Sequence, residues 1–263
     1  MEMDKDLHPG SRKGFARSGE LYDRARSEYP DAVVERLFKH LGLKPGARVL
    51  ELASGTGKFT EKLLRAGVEL TVVEPSAEMR SVLARRASPL LVVDAIAEAL
   101  PFPSEFYDFV FAATSYHWFD PTAAYTEILR VLKPGGGLGL LWTSWQQEMQ
   151  PEWYMSIRKL MTPFEAGTPR YKHMKWREPF DREIDFKFLQ FERHDISRPV
   201  TIAEICERML SVSYIAALPD LVFLALKREM EEMLKERIVQ GQGFKMPEEI
   251  HLYWTHKEAT ATP

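Results

Sequence analysis

The chain has 263 residues, 45% hydrophobic and 28% charged, with a formal net charge of -3, which is enough to bury a large core as one domain with an elaboration. That charge gives no reason to expect a nucleic-acid partner, and the single cysteine, Cys206, rules out an internal disulfide or a thiolate metal cluster and points to a reducing compartment. No apolar run reaches membrane-spanning length and the opening Met1-Glu-Met-Asp-Lys5 lacks a secretory apolar region, so a cytoplasmic location without a membrane partner is expected.

Residues 1–14 are polar, contain Pro9, Gly10 and Gly14, and are expected to be a flexible N-terminus ahead of Phe15. Over 31–41 the apolar residues Val33, Val34, Leu37, Phe38 and Leu41 recur at three and four, predicting a one-sided helix that starts at Asp31 after Pro30. The stretch Arg48-Val-Leu-Glu-Leu-Ala-Ser-Gly-Thr-Gly-Lys-Phe-Thr60 then carries an apolar strand through an acid into a small-residue turn and a helix over 60–66. Gly55 and Gly57 can take positive φ without steric cost and leave room for a ligand, while the first helical N–H groups face the same turn. A second short strand, Glu69-Leu-Thr-Val-Val-Glu74, ends in a carboxylate nineteen residues past Gly55 that can accept both hydroxyls of a ribose. Strand, turn, helix, strand, acid is the doubly wound α/β order, in which ligands lie beyond the carboxyl ends of the strands. Further strands are predicted at 89–94, 107–113 and 137–142 with helical patterns between them, which implies parallel pairing through crossover helices. The helix at 121–132 is stopped by Lys133-Pro-Gly-Gly-Gly137.

The turn discriminates between nucleotides. A dinucleotide site wants a third glycine three residues after Gly57, where Thr60 stands, and Glu51 would lie awkwardly beside a pyrophosphate. S-adenosylmethionine has no phosphate and carries an amino group and a sulfonium, for which an acid is welcome. The methyl donor is therefore the first reading; an NAD(P)-dependent oxidoreductase is the alternative, and a glycine turn that only links strand to helix is the plain structural one.

Four segments carry a family resemblance: Glu51-Leu-Ala-Ser-Gly-Thr-Gly-Lys-Phe-Thr60, Ala97-Glu-Ala-Leu-Pro-Phe102, Tyr116-His-Trp-Phe-Asp120 and Leu129-Arg-Val-Leu-Lys-Pro-Gly-Gly136. In this order and spacing, residues 15–145 resemble a class I S-adenosylmethionine-dependent methyltransferase of the small-molecule type, and the branch that contains the trans-aconitate-type and related fungal and bacterial enzymes. The resemblance implies a doubly wound, Rossmann-like α/β sheet of about seven strands, mostly parallel with an antiparallel last strand, plus a helical lid. Its final strand pair would form near 185–195 and 248–256. The methyltransferase domain would span 15–263, with a cofactor-binding core at 15–145 and substrate lid or cap elements at 146–185 and 201–245. Glu51 would hold the methionine amino group, and Ala53, Ser54 and Gly55, with Gly57 beside them, would line the methionine portion. Glu74 would take the ribose, Pro75 and Met79 would bound the adenine face, and Thr114 would meet the cofactor from the fourth strand. Ala53 stands where the superfamily has its first glycine, and an ordinary φ is expected there. Ile96 stands where relatives place an acid or amide against the adenine amino group, so Asp94 and Ala97 are the adenine candidates, with a strand-end role open for Asp94. Tyr22-Asp-Arg-Ala-Arg26, followed by Tyr29-Pro30, also matches the branch. Tyr22 and Arg26 would fold over the cofactor, Arg26 pairing with its carboxylate; a solvated helix face is the other reading of Arg24 and Arg26.

The acceptor is expected at the end of the fourth strand, where Asp108-Phe-Val-Phe-Ala-Ala-Thr-Ser-Tyr-His-Trp-Phe119 passes from a buried strand into a polar, aromatic stretch. His117 is the candidate general base for a hydroxyl acceptor; against a carboxylate acceptor no base is needed and it would orient the substrate, or it only packs. Tyr116 carries the same alternatives, and Trp118 either anchors the loop or stacks on substrate. After Trp142 the composition turns to tryptophan and methionine, including Trp145, Trp153 and Trp176, which suits an adaptable apolar lid or ordinary core. Arg170, Lys172, His173, Lys175 and Arg177 either attract a carboxylate substrate or form a solvated face. Helices are predicted over 201–210 and 220–238, and between them Ser213 and Tyr214 are either acceptor contacts, by resemblance to the branch, or a turn with one buried tyrosine. The chain has no Gly-x-Ser-x-Gly elbow and no histidine pair at metal-ligand spacing, so neither a hydrolase triad nor a metal is expected. The fourth strand also lacks the Asn/Asp-Pro-Pro-aromatic grip of base-methylating relatives. The expected activity is methyl transfer from S-adenosylmethionine to an oxygen, carboxylate or hydroxyl, of a small organic molecule. A catalytically idle donor-binding domain that acts through a protein partner is the third reading.

Overall fold

Helix α1 (Asp31–Leu41) buries Val33, Val34, Leu37 and Leu41 along one stripe and stops at Gly42, whose φ of 72° closes the last turn. The computed structural model describes residues 23–87, 90–146, 150–165, 167–239 and 243–259, so the flexible N-terminus expected over 1–14 lies outside the described residues. β1 (Arg48–Leu52) is buried at every position after Arg48, the continuous run of a strand covered on both faces, and only Glu51 interrupts its apolar character.

From β1, α2 (Thr60–Arg65) leads to β2 (Glu69–Val73) and α3 (Ala77–Arg86) to β3 (Leu91–Val93), each strand parallel to its predecessor. The chain then returns to the other side of β1: β4 (Tyr107–Ala113) pairs with it in parallel, and α4 (Pro121–Val131) leads into β5 (Leu132–Trp145) alongside β4. Onward lie α5 (Glu152–Met161), α6 (Glu178–Arg182), β6 (Gln190–Asp195), β7 (Arg198–Pro199), α7 (Ile202–Leu210), α8 (Ser213–Ala216), α9 (Asp220–Val239), β8 (Lys245–Met246) and β9 (Glu248–His256). The seven-stranded sheet has the order β3-β2-β1-β4-β5-β9-β6, and β7 and β8 form a separate antiparallel pair.

β9 is the antiparallel strand. Lys257 after its end donates to the Gly136 carbonyl early in β5 (2.8 Å), and Gln146 after the end of β5 donates to the Pro247 carbonyl before β9 begins (2.9 Å). This is the mostly parallel, Rossmann-like sheet that the resemblance implies. The strand order reverses between β1 and β4, and in such sheets the crevice beyond the carboxyl ends at the reversal is where ligands bind.

Two corrections to the predicted elements concern β5. It begins at Leu132, before the glycine run, and continues past the expected 142 to Trp145. Leu132 pairs with Tyr107 but Gly137 with Phe109, so five steps along β5 answer two along β4 and the run between them leaves the ladder. Glycine at 137 and 139 has a steric reason: a Cβ would lie 2.7 Å from Phe109 Cδ1 and 2.5 Å from Phe111 Cε1.

The chain forms two compact units. The sheet unit joins Glu28–Thr143, Pro169–His194 and the described residues of Ile250–Pro263, around a core that includes Leu50, Leu52, Val110, Tyr116, Trp142 and Tyr253. The helical unit joins the described residues of Met1–Ser27, Ser144–Thr168 and Asp195–Glu249 around Trp153, Ile157, Met161, Ile205, Met209, Met230 and Leu234. Its α7 opens on a capping box, with Thr201 and Glu204 each bonding the other's backbone N–H. Residues 146–185 contribute to both units: α5 belongs to the helical unit, whereas Trp176 and its neighbours belong to the core of the sheet unit. Among the described residues no helix is long and apolar enough to cross a membrane.

Candidate active site

β1 delivers Glu51 to the floor of its turn, where the carboxyl is wholly buried. Thr60, the first residue of α2, donates from Oγ1 to Glu51 Oε2 at 2.6 Å, while Oε1 is enclosed with no partner among the described residues. Burial pushes the Glu51 carboxyl up to about 8; the Thr60 hydroxyl opposes the rise and the nearby Glu74 charge adds to it. Ser54 Oγ is likewise buried with no partner among the described residues.

Ala53 corrects an expectation. Its φ is 49°, in the left-handed region, and not the ordinary value predicted for a non-glycine residue. Such a conformation costs an L-residue about 1–2 kcal/mol, so the turn holds Ala53 in the shape a glycine would adopt freely. The two glycines also divide their tasks. Gly55 (φ 60°) has open space where a side chain would point, but a Cβ on Gly57 (φ 91°) would lie 2.5 Å from Leu83 Cδ1. Gly57 therefore allows close packing of the turn against α3, whereas Gly55 has open space on its side-chain side.

At the end of β2, both oxygens of Glu74 are fixed by backbone: Gly55 N–H donates to Oε2 and Ser76 N–H to Oε1, each at 2.8 Å. Burial still raises its carboxyl to about 7, and Asp94 adds to the rise, against those two N–H groups and Arg80. Arg80 on α3 ties this corner, donating to the Glu74 carbonyl at 2.7 Å and to Asp94 Oδ2 at 2.8 Å. Asp94 is thus a strand-end partner of Arg80 in this structure. Pro75 is partly exposed, Met79 is buried under the Ser76 cap of α3, and Ala97 is buried in the core of the sheet unit.

β4 is followed by a second strained residue, Thr114, with φ 55°. A β-branched residue there is a genuine outlier, and the surroundings enforce it: its N–H donates to Leu141 O at 2.7 Å, and its Oγ1 lies 2.9 Å from the Tyr29 hydroxyl. Tyr116 goes the other way, fully buried among Phe119, Trp176 and Phe180, with its hydroxyl unpartnered among the described residues and pushed well above the ordinary phenol range by burial. His117 is half-buried and accepts, at Nδ1, the indole N–H of Trp142 at 3.1 Å. Trp142 itself packs against both Trp176 and Tyr171, with ring centroids 4.5 and 4.8 Å away. Trp118 lies beside His117, centroids 5.3 Å apart.

These residues all belong to the sheet unit. The remaining candidates, Arg26, Trp145, Ser213 and Tyr214, belong to the helical unit, and Tyr22 lies outside the described residues. Ser213 and Tyr214 are buried on α8, not in an open turn, and the Tyr214 hydroxyl accepts from Arg158 at 2.8 Å. Trp145 packs on Tyr154, and the charge of Arg26 acts on Glu248. Of the basic run, Lys172, His173 and Lys175 are exposed, as on a solvated face. Thr60, Ser76, Arg80 and Trp142 are the residues that sequence reasoning missed. Ser76 alone left a readable signal, a serine just before a helix.

A methyltransferase-domain family model matches residues 50–140. A methyltransferase-like protein of Schizosaccharomyces pombe, itself uncharacterised, is 31% identical over 215 residues, covering 81% of this chain and 83% of that one. The chain belongs to the class I S-adenosylmethionine-dependent methyltransferases. The methyltransferase is also 33% identical over 179 residues to an uncharacterised methyltransferase of Mycobacterium tuberculosis, covering 67% of each chain. In fold it is similar to phosphoethanolamine N-methyltransferase 2 of Haemonchus contortus in complex with phosphomonomethylethanolamine and S-adenosylhomocysteine, at a TM-score of 0.52 and 16% identity over 87% of this chain and 53% of that one. At that identity the likeness speaks for the fold alone. Family membership removes the nicotinamide alternative.

The turn of this methyltransferase fits such a donor. The two enclosed atoms of the turn without partners among the described residues, Glu51 Oε1 and Ser54 Oγ, are both able to accept a hydrogen bond. An amino group brings N–H donors and positive charge to them; a pyrophosphate would bring acceptors and negative charge.

Proposed function

We propose that this methyltransferase binds S-adenosylmethionine at the carboxyl ends of β1 and β2 and methylates an oxygen of a small organic molecule, a carboxylate. Glu51 and Ser54 would receive the methionine amino group, Glu74 the ribose hydroxyls, and Pro75 with Met79 would border the adenine. The donor, when bound, supplies a methyl group activated on a sulfonium. The protein supplies position, which can contribute up to roughly 7–11 kcal/mol to an in-line displacement.

One observation carries the choice of acceptor: Trp142 donates its N–H to His117 Nδ1. A neutral imidazole that accepts at Nδ1 carries its proton on Nε2. To serve as a base at Nε2, His117 would have to move that proton to Nδ1, against the indole N–H, and leave a buried tryptophan without an acceptor. His117 is therefore set as a hydrogen-bond donor. A carboxylate uses such a donor, since one of its oxygens takes the Nε2–H while the other, already ionised, attacks without any base.

The test is a metabolite panel of organic acids, phenols and amines assayed for donor-dependent product by mass spectrometry. Base-labile methyl esters are the expected products. His117→Gln, which keeps an N–H donor, should retain more turnover than His117→Leu. Methylation of phenols alone, with the two variants equally inactive, would overturn the reading.

A further inference from the structure

The sheet unit holds a cluster of two tyrosines and a histidine that the proposed reaction does not use. Tyr171 opens a single 3-10 turn, Tyr171–His173, which a second, Lys175–Arg177, follows; Met174 between them takes a φ of 55°. Lys172, His173 and Lys175 point to solvent, yet the Tyr171 hydroxyl lies 2.5 Å from His251 Nδ1 and 2.7 Å from the Tyr253 hydroxyl. His251 and Tyr253 are buried, two residues apart on β9, and so face the same side of that strand. A residue of a largely exposed loop is thus tied by its tip to a strand inside the sheet, between β5 and β6.

The same side chain reaches Trp142 with its ring. The two centroids are 4.8 Å apart and the planes 29° from parallel. An indole has a single N–H, which lies in the plane of its ring, so the 3.1 Å bond from Trp142 to His117 Nδ1 lasts only while that plane keeps its tilt. Two further rings meet Trp142: Trp176 at 4.5 Å and Tyr253, edge-on, at 5.7 Å. Trp176 is packed but not tethered, since its own Nε1 has no partner among the described residues. Tyr253 touches Trp142 with its ring and Tyr171 with its hydroxyl, so these three side chains brace one another. All of them, with His117 and His251, belong to the sheet unit.

We infer that Tyr171 is a positioning residue for the reaction: its hydroxyl is anchored on His251 and Tyr253, its ring holds the plane of Trp142, and Trp142 in turn keeps the His117 proton on Nε2. This deepens the proposed function and rests on its assignment of His117 as a hydrogen-bond donor. Tyr171 acts through Trp142 and need not touch substrate.

The test is nitrogen-15 NMR of the full chain labelled in histidine, with the His117 signals assigned by their absence in His117→Gln. Wild type should show His117 with its proton on Nε2. Tyr171→Leu, which loses ring and tether, should raise the population of the Nδ1–H form of His117 severalfold, and Tyr171→Phe, which keeps the ring and loses the tether, should shift it the same way by less. These signals report the folded state, so a loss of stability alone does not move them. Turnover of a carboxylate acceptor should fall in the same order, while S-adenosylhomocysteine affinity by calorimetry stays equal in all three proteins. A His117 pattern unchanged in both variants overturns the inference whatever happens to stability or turnover, and Tyr171→Phe keeps the test available if Tyr171→Leu does not fold. A shifted His117 pattern without methyl ester from any acid would retain the role of Tyr171 and reject the proposed reaction. A wild-type His117 with its proton on Nδ1 would overturn both.

Discussion

Two buried carboxylates, Glu51 in the sheet unit and Glu248 in the helical unit, are almost equally hidden from solvent and behave in opposite ways. Glu248 accepts from the Arg208 guanidinium on one oxygen and from the Ser27 hydroxyl on the other, and is held below the ordinary carboxyl range. Glu51 has one hydroxyl on one oxygen and is pushed up to about 8. Burial sets the same penalty for both, and partners decide which one carries charge. The first is a finished interaction that anchors structure, while the second is an unmet demand for a cation or an N–H donor.

Opposite mutational signs would sharpen this contrast. Glu248→Gln leaves Arg208 buried beside a neutral amide and should destabilise the protein by about 3–5 kcal/mol, read by urea denaturation. Glu51→Gln should stabilise the unliganded protein at pH 8 by a few kcal/mol, at about 1.4 kcal/mol per pKa unit. The sign follows from the raised folded-state value: between the ordinary carboxyl range and about pH 8 the unfolded chain has lost the Glu51 proton while the folded chain retains it, so stability falls as pH rises through that window. The gain should vanish near pH 4, where both states hold the proton; a gain that persists there would break the comparison. The same variant should bind the donor at least tenfold more weakly. Calorimetry of donor binding to wild type at pH 7, repeated in buffers of different ionisation enthalpy, should show release of about one proton.

Glu74 lies between the two extremes, fixed by two backbone N–H groups yet raised to about 7. Glu74→Ala should weaken donor affinity by about 1–3 kcal/mol, and an unchanged dissociation constant would contradict the ribose role. The smallest expected effect is Ala53→Gly. Relief of the left-handed strain and the added freedom of the unfolded chain nearly offset each other, so stability should change by less than about 1 kcal/mol, with donor affinity preserved. A loss of several kcal/mol would show that the Ala53 methyl packs against something essential.

The sequence carries the parts of this molecule that depend on short-range pattern. α1 and β4 occupy the residues predicted for them, because a stripe at three and four and a largely apolar run are local signals. The glycine turn and its two acids were readable for the same reason. The Ala53 backbone was not, since alanine ordinarily avoids positive φ and only the assembled turn forces it. Thr60 entered the sequence argument as a helix start and a missing glycine, yet its hydroxyl holds Glu51. The pairs Trp142 with His117 and Arg208 with Glu248 are 25 and 40 residues apart, and no local rule links residues across strands or from a helix to the last strand.

The position of β9 has a consequence for biogenesis. This strand is made after all the other strands of the sheet, yet it is inserted between β5 and β6. As the ribosome extends the chain, β1 to β5 can assemble early, but β6 has no neighbour to pair with until residues 248–256 emerge. Glu248, the partner of Arg208, arrives in that same segment. A nascent chain halted before it would present the open flank of β5 to other proteins, and a chaperone that guards such flanks should act on this protein late in synthesis.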